Sequence, residues 1–143
     1  MNRREFALMA LAGAKRQSFS PVQLQKLLFL LDRNIGERVG GSGFNFQPYH
    51  YGPFDQSVYS TLEQLAHEGL AEIQNPEEGA WRRYRLTETG QGEGEKIWRD
   101  LDPRAVDYIG SICTFVRSQS FAGLVSSIYR TYPDMKVNSV FQE

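Results

Sequence analysis

The sequence predicts a mainly α-helical α+β fold with one small β-hairpin, built as a single domain, and three observations carry that prediction. A strong helix start at Ser20 leads into the leucine-rich stretch PVQLQKLLFLL. A second amphipathic stretch runs from Asp55 to Gly69. Two strand-like runs, LAEI and WRRYRLT, then flank the turn-forming QNPEEGA, whose Asn-Pro and Gly mark a hairpin connection.

Taken in order, the first helix is expected near residues 3–14, where Phe6, Met9, Ala10 and Gly13 follow helical spacing. The paired arginines ahead of a short apolar run superficially suggest a secretory signal. That apolar run is only about seven residues, the low limit for such a segment, and Glu5 interrupts its charged end, so a helix of the fold is expected instead. For the helix over 21–35, Ser20 supplies the N-cap, Pro21 the first helical position, Gln23 the capping-box partner, and Phe19 with Leu24 a hydrophobic staple. Leu24, Leu27, Leu28, Leu31 and Ile35 make one apolar stripe, and Phe29 and Leu30 widen it so far that this helix should be buried on most sides. Gly36 is expected to be its C-cap.

A loop containing GGSG leads to a short extended segment over 44–50. In the following PYHYGPFD, Gly52 is expected to take a left-handed turn, Pro53 to fix φ, and Asp55 to cap the third helix, over 55–68. Tyr49, Tyr51 and Phe54 are expected to pin that turn against the core. Val58, Leu62, Leu65 and Ala66 form the helix's buried face, and Gly69 ends it. The hairpin spans about residues 70–86. TETGQGEGEKIW is expected to be a weak, glycine-loosened helix start that firms up near Ile97 and Leu101. Helices over 103–117, with Val106, Ile109, Cys113 and Val116 inward, and over 121–131, with Phe121, Leu124, Val125 and Ile128 inward, complete the chain. Two helices, a linker, a third helix and a hairpin is the order of a winged helix, with the hairpin as wing. Residues 1–100 would be that core and 101–143 a helical extension.

Composition narrows the function classes. Of the 143 residues 41% are hydrophobic and 23% charged, ordinary values for a globular protein, and no run approaches the roughly 18 apolar residues of a membrane span. The single cysteine excludes an internal disulfide or a multi-cysteine metal site and suits a reducing, cytoplasmic setting. The formal net charge of −1 hides an asymmetry: residues 1–40 hold seven Arg/Lys against three acids, whereas residues 55–79 hold six acids and no Arg or Lys.

Chemistry-bearing residues are sparse. His50 and His67 lie in different elements, Cys113 falls on an apolar helix face, and GQGEGEK lacks the G-K-[ST] of a phosphate loop. No catalytic residue, metal ligand or cofactor is therefore assigned. Nucleic acid is the serious rival partner, because a winged helix invites it. Arg82, Arg83 and Arg85 on the wing, with Arg3, Arg4, Lys15 and Arg16, could grip a phosphate backbone. The polar face of the third helix, however, offers Gln56, Ser57, Ser60, Glu63, Gln64, His67 and Glu68, with no Arg or Lys to meet a polyanion.

Three stretches together resemble a known group: QKLLFLL, then YHYGPFDQSVY, then LEQLAHEGLAEI. Their order and the spacing from Y-G-P to V-Y are similar to those of the phage-associated Panacea or SocA-like family and the related YwgA-like proteins. The resemblance covers about residues 19–73, and SIYRTYPDM resembles the YwgA-like ending. The chain departs from the Panacea pattern in carrying PFD where PV is common. The resemblance implies a winged-helix-like, non-catalytic antitoxin or adaptor whose partner is a protein, such as a toxin or a substrate delivered to a protease. A homodimer stays open, and no membrane partner is implied.

On that reading Tyr49, Tyr59 and Trp81 are the candidate aromatic anchors, and Glu63, Glu68 and Glu72 the acids that would steer a basic partner. The alternative is a DNA-binding regulator. An exposed aromatic patch would favour a protein partner, and a continuous basic stripe would favour DNA.

Overall fold

Asn2 and Ser20 each open a helix with a reciprocal capping box, so local chemistry fixes where the first two helices start. In the computed structural model, which describes residues 1–75 and 82–142, these are α1 (Arg3–Ala12) and α2 (Pro21–Ile35). They are followed by β1 (Gln47–Tyr49), β2 (Gly52–Phe54), α3 (Ser57–His67), β3 (Ala71–Gln74), β4 (Arg83–Leu86), α4 (Glu88–Trp98), α5 (Pro103–Ser118) and α6 (Phe121–Thr131). Among the described residues the class is mainly α with two small antiparallel two-stranded sheets.

The hairpin expected over 70–86 is present as β3–β4, in a register pairing Ala71 with Leu86 and Gln74 with Arg83. Phe19 adds an antiparallel bridge to Tyr84 through two backbone hydrogen bonds of 2.8 and 2.9 Å, which ties the linker between α1 and α2 to this sheet. Residues 76–81, including Glu77, Glu78 and Trp81, lie outside the described residues.

Helix α2 is the centre of the core. Every residue from Leu24 to Leu31 is buried, as the width of its apolar stripe requires. Helix α5 inserts Ile109, Cys113 and Val116 into the same hydrophobic cluster as α1 and α2. The Cys113 thiol donates to Ala10 O at 3.3 Å, and burial pushes its pKa up to about 12, so it behaves as a small apolar group.

Several sequence expectations are corrected. Glu88–Trp98 is a continuous helix, opened by Thr87, whose hydroxyl accepts from Gly90 N, rather than a weak start firming near Ile97. Its glycines are there for packing: a Cβ at Gly90 would lie 1.9 Å from Leu70 O, and one at Gly94 2.6 Å from Leu8 O. Gly36 is the C-cap of α2 as expected, though in a right-handed conformation, and a left-handed position follows at Gly40. Helix α3 begins at Ser57, with Asp55 two residues ahead of it accepting from Ser57 N at 2.8 Å. The YGP element is itself a hairpin, β1–β2, with Pro48 opposite Pro53 and Tyr49 opposite Gly52.

The contrast between Gly94 and Gly92 gives a test. Gly92 has open space around its Cβ position, so Gly92→Ala should stabilise the protein by about 0.5–1 kcal/mol through helix propensity. Gly94→Ala should destabilise it by about 1–3 kcal/mol, because α4 must move off α1. Urea unfolding of both variants checks this, and equal effects would contradict the packing role.

Candidate functional site

The YGP hairpin is held from two sides. On one side α2 presents Gln25 and Lys26, adjacent residues that grip the backbone of β2 and its exit. Gln25 Nε2 donates to Asp55 O at 3.0 Å, Asp55 N donates back to Gln25 Oε1 at 3.0 Å, and Lys26 Nζ donates to Pro53 O at 3.2 Å. On the other side the chain after α6 lies along the hairpin loop. Val140 N donates to His50 O at 2.9 Å, Asn138 Nδ2 to Pro48 O at 3.2 Å, and the Tyr129 hydroxyl to Ser139 Oγ at 2.6 Å. Gly52 has φ of +99°, the left-handed conformation expected of it, and packs near Tyr129 and the Lys26 stem.

Asp55 closes the element. Burial raises its pKa, but hydrogen bonds from the Ser57 hydroxyl and from the backbone of Asn45 and Ser57, with the positive charge of Arg3, outweigh that and hold the carboxyl below its ordinary value. The carboxylate therefore joins the loop at Asn45, the hairpin exit and the first turn of α3.

Lys26 is the residue that sequence reasoning undervalued. It was counted among the basic surplus of residues 1–40, yet only 3% of it is exposed. The available signal was its position between Leu24 and Leu27 on a helix predicted to be buried on most sides. Burial lowers its amine to about 7, and among the described residues no carboxylate pairs with it. Beside it lies a cavity of about 160 Å³ lined by Val22, Gln25, Lys26, Phe54, Tyr59 and the 49–52 turn. Burial also raises the Tyr59 phenol, against a lowering hydrogen bond with Gln25.

The structure separates the expected aromatic anchors. Tyr49 and Tyr51 are exposed by 49% and 44%, so they do not pin the turn into the core as expected. Tyr49 stacks on His50 at 4.2 Å, and Tyr51 meets Phe121 edge-on at 5.2 Å, with Phe141 beyond it at 5.9 Å. Phe121, expected inward, is 45% exposed. Tyr59 is half-buried against Tyr84. Trp81 is outside the described residues.

The charge asymmetry read along the chain is partly cancelled in space. Arg4 forms a bidentate pair with Glu68, with contacts of 2.8 to 3.1 Å, and Arg85 pairs with Glu72 at 2.8 Å, while Glu63 is exposed. The basic residues fall into two places. Arg3 and Arg4 lie at the α3 end of α1. Lys15 and Arg16 form a turn with positive φ of 50° and 70°, next to Ser18, to which Arg83 and Arg117 both donate. Arg117 was missed by the sequence reading because it sits some 100 positions away from that turn. Arg82 is exposed beside Arg83. Among the described residues no group of three or more His, Cys, Asp or Glu side chains could hold a metal, and no helix is long and apolar enough to cross a membrane.

The Lys26 amine makes stability depend on pH with a definite sign. Its folded value is depressed from 10.5, so between about 7 and 10.5 the unfolded chain binds the extra proton and folding gains stability as pH rises. The stability of the parent minus that of Lys26→Met should therefore rise by about 1.4 kcal/mol per pH unit between roughly pH 7.5 and 9.5. Urea unfolding across that range measures it, and a difference independent of pH would show the amine to be solvated.

Compared with family models, with curated proteins and with solved structures, the chain matches none.

Proposed function

We propose that this chain is a non-catalytic binding protein of antitoxin or adaptor type, in which a winged-helix-like core presents the YGP hairpin to a partner protein. The observation that carries the reading is an exposed aromatic ridge, Tyr49 and Tyr51 on the clamped hairpin with Phe121 of α6 against Tyr51. Clustered exposed aromatics mark interaction surfaces, and such residues supply most of the energy of protein interfaces. The resemblance to the Panacea, SocA-like and YwgA-like proteins supports it, since its two main stretches, QKLLFLL and YHYGPFD, bond to each other through Gln25 and Lys26.

A second reading, DNA binding, is favoured by one specific observation: the turn at Lys15 and Arg16 gathers Arg83 and Arg117 around Ser18, with Arg82 alongside. Two consecutive non-glycine residues at positive φ store strain of a kind that concentrates at functional positions. The polar face of α3 still carries no Arg or Lys, so contact would run through phosphates.

The two readings separate experimentally. Tyr51→Ser combined with Phe121→Ser should reduce capture of a host partner protein by at least about tenfold, read by quantitative mass spectrometry against the parent, with the melting temperature nearly unchanged. Unchanged capture would overturn the protein-partner reading. Duplex DNA should bind only in the roughly 10⁻⁴ to 10⁻⁶ M range, and Lys15→Gln, Arg16→Gln and Arg82→Gln together should lower the salt slope by about two to three. Tight binding that survives high salt and depends on Gln56, Ser60 or Gln64 would reverse the order of the readings.

A further inference from the structure

The cavity beside Lys26 has features that a structural void does not need. Its volume of about 160 Å³ is close to the roughly 150 Å³ that accommodates one benzene ring in a protein interior. Its lining is largely aromatic, with Tyr49, Tyr51, Phe54 and Tyr59 beside Val22, a composition suited to a flat apolar body. Lys26 also lines it, and of the three protons an ammonium can donate, one reaches Pro53 O. Gln25, the other polar side chain of α2 at the cavity, has both ends of its amide engaged by Asp55. The site therefore combines an apolar, ring-sized space with one buried cationic donor that has bonding capacity to spare.

Among the described residues, the groups around that amine do not supply the missing anion. From the hairpin come Pro53 O, His50 and the tyrosines. From α3 comes Tyr59, and from α6 Tyr129, under whose ring face Lys136 contributes a second positive charge at 5.8 Å. Asp55 is the nearby acid, and its carboxylate is taken by Asn45 and Ser57. A buried ammonium without a counter-charge is unfavourable, and burial lowers the Lys26 amine accordingly. A bound anion would remove that penalty.

We propose that this cavity binds a small apolar monocarboxylate, an aromatic acid of about the size of phenylacetate, with its ring between the hairpin tyrosines and Phe54 and its carboxylate on the Lys26 ammonium. The ligand site shares Tyr49 and Tyr51 with the ridge that the protein-partner reading uses, but it rests on Lys26 and the cavity and stands whether or not that reading does. Because its rim is formed by Tyr49 and Tyr51, an occupant also stiffens the hairpin that carries the ridge.

The test is calorimetric and NMR titration of the full chain with phenylacetate and, in parallel, with phenylacetamide, which has the same ring and no charge. At about pH 6 phenylacetate should bind saturably with a dissociation constant of about 1 mM or tighter, at least about tenfold tighter than the amide. Its affinity should fall about tenfold per pH unit above pH 8, and binding at pH 8 should take up about one proton, read from the heats in two buffers. Lys26→Met should abolish the preference for the acid, and His50→Gln should leave the pH dependence intact. Equal affinity for acid and amide, no saturable binding by about 10 mM, or loss of the pH dependence in His50→Gln would each overturn the proposal. The proton uptake is measured on the parent protein, so the result stands even if Lys26→Met fails to fold.

Discussion

The grip of Gln25 and Lys26 on the backbone at Pro53 and Asp55 organises the rest of the molecule. The stretch 24–31 of α2 is buried throughout and has no polar face to give to solvent, so any polar residue in it must find a partner inside. Gln25 does so completely, matching one donor and one acceptor to the two backbone groups of Asp55. Lys26 does so only in part, and the result is an amine whose proton is held weakly. From these three hydrogen bonds follow the position of the hairpin, the entry angle of α3 through Asp55, and the cavity between them. The tail after α6 closes the arrangement by bonding to His50 O and Pro48 O on the far side of the hairpin.

The remaining architecture supports this centre by close packing. Helices α1 and α4 meet through glycine, with Gly94 against Leu8 O, and α4 is anchored at its start by Gly90 against Leu70 O. The Trp98 indole donates to Met9 O at 3.0 Å, fixing the other end of the same contact. On the opposite side Arg33 lies over the rings of Phe29 and Tyr132, at 5.0 and 5.1 Å, and pairs with Asp134 at 3.2 Å, which fastens the end of α6 to α2. The end of α6 is thus tied to α2, so a perturbation of α2 is felt at both the hairpin and the segment after α6.

Local signals in the sequence were read correctly where local chemistry decides. The Ser20 and Gln23 capping box, the positive φ at Gly52 and the pairing of residues 71–74 with 83–86 all appear as expected. What failed depends on neighbours distant in sequence. GQGEGEK looks loose because glycine is a poor helix former, and only the surface of α1 explains why glycine is needed there. Lys26 looks like a surface charge until the burial of the surrounding stretch 24–31 is taken into account. Tyr49 and Tyr51 look like anchors because aromatics usually go inward, whereas the hairpin lies at the surface with its loop outward. Arg4 with Glu68, 64 positions apart, and Arg85 with Glu72 show why charge blocks along a chain do not map onto charged faces. The candidate site was legible as a motif, and its buried cation was not.

The central claim is that Lys26 is a buried, singly hydrogen-bonded amine beneath the YGP hairpin. Its direct test is an NMR titration of the Lys26 side chain, following the carbon and protons next to Nζ against pH. The expected midpoint is about 7, far below the ordinary lysine value of 10.5. A midpoint near 10.5 would show that the side chain reaches water, that α2 does not hold Pro53 O through this amine, and that the cavity has no cation at its floor.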